Sequence, residues 1–476
     1  IVNTKIEATG DIQLQAGVNL QVWYGFISAY GTLKLTGTDI QMSAPQSFLN
    51  YFRGGENLEI NANIISATGS VGFDTGGNFT ASGDFRNSSS TGITAAGNIT
   101  LGNYTGTNLE AIAGGSIATG NITLPLVPER DGGGISYANL NAGQDVETGN
   151  IAGVGSGVNI RTQGSINAGD IAIDGIDGSS VVLNSKNDLT ARNIRISTNT
   201  TTNTGIIVSS EEGNVDTSAG NIEIISPTGP TGGISVYAGE GNVATGGVRA
   251  GSVTVYAGGN SLTTGGDVSA QQQVQIISQG SINTRNSAVT SQGGNITIYG
   301  DRDVTTSNVS SNGGNIAITS SSGVIDTRAG AVDGGGGNIN INAAVNFRGG
   351  RVTSNGGNVS IIYSARDLNR SSGGTGTAVE RPPVLMPPLN PFVLSPSAET
   401  LPPPPEPGPT LTPDPIPEPP PVTPPVAPPV TPPVAPPVTP PVTPPVAPPV
   451  TPPGVAEPTP VVAEIAPPAP AAPEPV

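Results

Sequence analysis

Residues 293–361 read GGNITIYGDRDVTTSNVSSNGGNIAITSSSGVIDTRAGAVDGGGGNININAAVNFRGGRVTSNGGNVSI. One phrase recurs in it: Gly, Asn, an aliphatic residue, any residue, an aliphatic residue. It opens at Gly294, Gly314, Gly337 and Gly357, with spacings of 20, 23 and 20 residues. Within the first unit Ile296 and Ile298 alternate with Thr297, and Val304 and Val309 follow. The unit from Gly337 repeats the plan with Ile339, Ile341, Phe347 and Val352; the unit from Gly314 carries Ile316, Ile318 and Val324. Period-2 alternation over a few residues, bounded by Gly, Asn and Ser, spells short strands joined by turns. Helix is disfavoured by the Gly, Thr, Ser, Asn, Ile and Val that dominate and by the lack of 3.6-residue spacing.

The phrase extends over the body as GDIQL at 10–14, GNITL at 97–101 and 120–124, GDIAI at 169–173 and GNIEI at 220–224. A unit of ~20 residues is too short to bury a core alone and must stack on its neighbours. Three short strands per unit predict an all-β, right-handed parallel β-helix over residues 1–375, with about 18 coils of ~20 residues. The hand follows the general preference of strand crossovers, since no strict hexapeptide rhythm is present. Stacked coils pair at ~4.8 Å, so like residues lie over like. The Asn at each strand start is expected to ladder its amide with the Asn above and below, and the Gly before it to adopt positive φ.

Composition divides the chain. Of 46 prolines, 5 fall in residues 1–381 and 41 in 382–476, whereas 65 of 67 glycines precede Arg381. Residues 376–476 read as a Pro-rich extended tail, with eight VTPP or VAPP units from Val422 to Pro453. Proline fixes φ and removes a donor, so polyproline II is expected there, acting as a spacer or stalk.

The chain has no His and no Cys, which removes the usual structural-zinc ligands, cysteine nucleophiles and the Ser-His-Asp triad. A net charge of −17 with three lysines (Lys5, Lys34, Lys186) argues against nucleic acid. No apolar run is long enough to span a bilayer as a helix, and no signal peptide is present. The chain begins mid-pattern at Ile1, which reads as a fragment or a processed product.

Candidate sites are few. GDIAIDGIDGSS (169–180) offers Asp170, Asp174 and Asp177 as calcium ligands, although its spacing matches neither an EF-hand nor a nonapeptide calcium repeat. Exposed turn aspartates are the plainer reading, and no metal or cofactor is expected. Asp301, Arg302 and Asp303, with Arg285 and Arg328 stacked nearby, form the nearest thing to a carboxylate and base cluster of a polysaccharide lyase or hydrolase. A solvated corner is the plainer reading, since residues 290–362 are the most regular part of the repeat. Ten of 18 aromatics lie in residues 1–85. Trp23, Tyr24, Phe26 and Tyr30 are the candidate contact patch for glycan or protein, against the alternative of a wider core or an end cap.

At GGNITI (293–298), AGGSIATGNITL (113–124) and GGNIAITSSSGVIDT (313–327) the chain resembles the central repeats of the filamentous haemagglutinin family. These are large bacterial exoproteins of the two-partner secretion pathway, with many similar ones in cyanobacteria. The resemblance covers most of residues 1–370. It implies a right-handed β-helix, export through an outer-membrane transporter of the two-partner type, a secreted or cell-surface location, and adhesion without catalysis. The family's NPNL-like and NPNG-like secretion motifs are absent; the only Asn-Pro is Asn390-Pro391. The chain therefore reads as a shaft downstream of such a domain, or as a divergent relative. An autotransporter passenger and a β-helical polysaccharide-active enzyme are the alternatives.

Overall fold

The computed structural model describes residues 2–364 apart from 44–48, 127–135, 176–177, 199–203, 228 and 230–231. Among these, the chain winds into a parallel β-solenoid of about 16 turns with no helix. Each turn lays a stretch of strand along each of three sides, and some long strands serve more than one side. The first side is a ladder from Val2–Ala8 to Val359–Tyr363, the second runs from Ile12–Gln15 to Asn346–Arg348, and the third from the first half of Asn19–Ala29, whose second half joins the first side, to Val352–Thr353. The Pro-rich tail expected over 376–476, with its repeats at 422–453, lies outside the described residues.

The three-strand unit is as the spacing predicts. Ile296, Ile316 and Ile339 lie over one another on the first side. Val304 and Ile325 pair on the second, and Val309, Val332 and Val352 on the third. The unit from Gly314 shows a local slip: Ile325, not Val324, enters the core, and Val324 pairs with Asn346. There are fewer turns than ~18 because turn length varies. Corner hydrogen bonds link residues 18 apart at Asn98 and Ser116, 20 apart at Asn295 and Asn315, and 29 apart at Asn121 and Asn150. At ~4.8 Å per turn the solenoid is ~75 Å long.

The recurrent phrase is not tied to one corner. GNITL at 97–101 places Ile99–Leu101 on the second side, over Phe79 and under Ile117. GNITL at 120–124 places Ile122–Leu124 on the third side, under Ile151. GNITI at 294–298 is on the first. The 23-residue interval from Gly97 to Gly120 is thus one turn plus one side, not a coil. All three corners need the same chemistry, so the same phrase serves them all.

That chemistry is chiefly side chain to backbone, with the expected amide-over-amide bond added locally, as where Asn242 Nδ2 donates to Asn214 Oδ1 at 3.1 Å. The Asn side-chain oxygen accepts the backbone N–H of the equivalent residue one turn on. Asn315 N–H donates to Asn295 Oδ1 at 2.9 Å, Asn338 N–H to Asn315 Oδ1 at 2.9 Å, and Asn358 N–H to Asn338 Oδ1 at 2.8 Å. The third side repeats this through Asn103, Asn121 and Asn150. Asp170, Asp188 and Asp303 accept in the same way, which explains why Asp alternates with Asn in the phrase. Asn315→Ala should therefore cost ~1 kcal/mol, the usual net value of one hydrogen bond, and Asn315→Asp clearly less. Chemical denaturation of the two variants would show equal losses if the amide N–H₂ were the working group.

The glycine immediately before the Asn is needed for close approach and not for positive φ. A Cβ on Gly314, Gly337 or Gly357 would overlap the carbonyl oxygen of the glycine one turn below. Positive φ falls on the preceding glycine at two of these corners, Gly313 (φ 101°) and Gly356 (φ 133°).

The core is a continuous column of Ile, Val and Leu with almost no exposure. Its N-terminal third is wider. Phe52, Phe73, Phe79, Phe85 and Tyr104 pack there ring against ring, with centroids 5.1–5.9 Å apart. The long strand Phe79–Ala95 bends through all three sides without a break. The Tyr104 hydroxyl donates to the Asn108 carbonyl at 2.7 Å. Burial pushes its phenol well above the ordinary 10.0. The folded state thus favours the neutral phenol. The stabilisation is complete below pH ~10 and declines from there as the unfolded chain ionises and pH rises toward the folded value. Urea melts between pH 8 and 11 should show a smaller alkaline loss in Tyr104→Phe than in the parent; equal losses would contradict this role.

Candidate functional site

Because strand residues alternate in and out, the first side presents an outer face whose rows run along the solenoid axis. One row consists of Lys5, Phe26, Tyr51, Gly72, Gly92 and Glu110 on successive turns. The Phe26 and Tyr51 rings stack with centroids 5.6 Å apart and planes 15° apart. The Lys5 ammonium lies 5.7 Å from the Phe26 centroid, within cation–π range. In the neighbouring row, Asp74 accepts the Tyr51 hydroxyl at 3.0 Å and faces Arg53 Nε at 3.7 Å. Partial burial raises the Tyr51 phenol, and its bond to the Asp74 carboxylate adds to the shift.

The aromatic-rich segment divides between core and surface. Phe52, Phe73, Phe79 and Phe85 fill the interior. Trp23 and Tyr30 point outward, 46% and 75% exposed, as does Phe26. A cleft of about 430 Å³ beside them is lined by Glu7, Phe26, Tyr30 and Arg53. Tyr24 lies in the same strand, Asn19–Ala29. So Phe26 and Tyr30 of the proposed patch meet at one cleft, with Tyr51 stacked on Phe26, while Trp23 stands where the third and first sides join.

A second aromatic tract on the same face was not singled out by sequence reasoning. Tyr237 and Tyr256 stack at 4.8 Å with planes 12° apart. Gln279 Nε2 donates to the Tyr256 hydroxyl at 2.8 Å. On the same row, two turns beyond Tyr256, Tyr299 donates to Asp301 Oδ1 at 2.8 Å. The signal was present: VYAG occurs at 236–239 and 255–258, with Tyr on the outward phase of the alternation.

The calcium candidates do not converge. Asp170 opens the strand before Ile171 and its Oδ1 accepts from Asn193, at 3.2 Å from the backbone N–H and 3.0 Å from the side chain. Asp174 sits at the far end of that strand, four residues or ~13 Å away. Asp177 lies outside the described residues. Among the described residues no group of three Asp or Glu is placed to hold a metal ion.

The candidate carboxylate–arginine cluster is likewise dispersed into local bonds. Asp303 is a corner acceptor for Val324 N–H, and Asp301 is engaged by Tyr299 and Ser321. Arg328 forks onto Asp326 at 2.6 and 3.0 Å, which holds the Asp326 carboxyl below its ordinary range. A groove of about 630 Å³ crosses five turns on the third side, lined by Leu126, Val154, Asp174, Arg195 and Ile225. The chain matches no family model, no curated protein and no solved structure.

Proposed function

We propose that this protein is a secreted, surface-exposed adhesin-like β-helical rod of the filamentous haemagglutinin type, which attaches to cell-surface or matrix glycan or protein without catalysis. The observation that carries the reading is the outer face of the first side, where stacked aromatics, Phe26 exposed and Tyr51, Tyr237 and Tyr256 half-buried, line outward rows at defined turns of the ladder. Exposed aromatic patches on a regular scaffold are contact surfaces. The repeat resemblance supports export through an outer-membrane transporter of the two-partner type. The acidic net charge weighs against nucleic acid as partner.

The enzymatic alternative needs two carboxylates flanking a scissile bond. Among its described lining residues the third-side groove carries one, Asp174, beside Arg195. That composition suits binding better than hydrolysis.

The test is retention of the full chain on immobilised cell-envelope material, compared with Trp23→Ala and Tyr30→Ala. Both side chains are exposed, so melting should not move. Each truncation should weaken retention by about 5- to 10-fold, the effect of removing an aromatic contact residue. Retention unchanged in the double variant, or product release from any polysaccharide, would sink the reading.

A further inference from the structure

The row Lys5, Phe26, Tyr51 is a stack that ends abruptly. After Tyr51 the next two positions are Gly72 and Gly92, and the row resumes at Glu110. Tyr51 leans over Gly72, where an added Cβ would lie 3.1 Å from Tyr51 Cδ2. Above it the floor is bare: a Cβ on Gly92 would meet nothing within 4 Å. With the Tyr51 ring over Gly72, the rung left open is that of Gly92, a notch of ~5 Å along the axis with the Tyr51 ring on one side and Glu110 on the other. Glycine costs stability in a strand interior, and neither Gly72 nor Gly92 has positive φ to require it. What their absence of side chains provides is access.

We infer that this notch is a subsite for a neutral pyranose, which continues the stack as its next ring. This rests on the adhesive reading above and names the ligand class for its aromatic face. The face of an aromatic ring is electronegative, so it attracts the polarised C–H groups on the apolar face of a sugar. A pyranose also carries hydroxyl donors around its rim. The notch offers acceptors for them. Asp74 already takes the Tyr51 hydroxyl and faces Arg53, yet a carboxylate has about four acceptor sites and keeps room for more. Glu110 is exposed. Arg53 supplies a donor to a ring or hydroxyl oxygen. The two carboxylates and the net charge of −17 repel sulfated or uronic sugars, so the selectivity is for uncharged glycans.

The probes are cellotriose, chitotriose and mannotriose, with a heparin hexasaccharide as the anionic comparison, titrated calorimetrically into the full chain. At least one neutral trisaccharide should bind and heparin should bind more weakly than it. Gly92→Leu fills the notch from a position where an added Cβ meets nothing within 4 Å, so its melt should stay close to the parent while sugar affinity falls about 10-fold or more. Tyr51→Ala should lose a similar factor, and Asp74→Asn a smaller one. Three results would each overturn the inference: no neutral sugar binds, heparin is preferred, or binding is untouched by Gly92→Leu. If Gly92→Leu and the parent are retained equally on cell-envelope material while neither binds sugar, the notch fails and the adhesive reading stands. If neutral sugar binds in the notch but no cell-envelope surface retains the chain, the inference holds and the adhesive reading fails.

Discussion

Ile316→Asp should abolish the cooperative melt of the solenoid around it, with a loss of ~5 kcal/mol or more, the range reached when an unpaired charge is forced into a core. Ile316 is 1% exposed and lies between Ile296 and Ile339 in an unbroken aliphatic column. Among the described residues no Lys or Arg is buried, so the carboxylate would enter unpaired. Stability in a stacked repeat is shared between neighbours, and one failed interface uncouples both flanks. Far-UV circular dichroism with a thermal melt would show two broad transitions or none. A melt that shifts by no more than a surface substitution would mean that Ile316 does not face the interior.

Gly314→Ala should be nearly as damaging although it adds one methyl group. In ordinary corners Gly→Ala is mild. Here the space for the Cβ is occupied by the Gly294 carbonyl oxygen, and the same holds one turn on for Gly337 above Gly314. Backbone cannot rotate away as a side chain would, so the turn must open. The expected cost is ~3 kcal/mol, the upper part of the overpacking range. Gly92→Ala, which meets open space, is the matched control and should change stability little. Equal effects of the two substitutions in urea titration would contradict the close-approach account.

The solenoid was legible in the sequence because its determinants are local. Alternating Ile at 296, 298, 316 and 318, with a turn signal before each pair, suffices to define strands, and stacking follows from the repeat. The corner assignment was less legible, since one phrase satisfies all three corners and spacing alone does not say which is in use. Val304, Thr305 and Thr306 show another limit: both Val304 and Thr306 face inward, and Thr306 joins the buried threonines Thr217, Thr245, Thr264 and Thr284 on the second side. Thr has nearly the shape of Val, so the interior accepts it where composition suggests a surface residue. The aromatic face was half visible. Trp23 and Tyr30 stand out by type, but the pairing of Phe26 with Tyr51, 25 residues on, depends on a register that only the fold supplies.

The register of the first side underlies the outer face, the notch and the aromatic rows alike, and a chain without cysteine allows it to be tested covalently. Thr297 and Ala317 are direct partners on adjacent turns, both with outward side chains. Strands at ~4.8 Å bring their Cα atoms within the 4.4–6.8 Å that a disulfide spans. Thr297→Cys combined with Ala317→Cys should close a disulfide on mild oxidation, scored by mass spectrometry after digestion. Thr297→Cys combined with Thr319→Cys, slipped by two residues to ~8 Å, should not. Closure of the slipped pair in preference to the aligned one would contradict the stacked register.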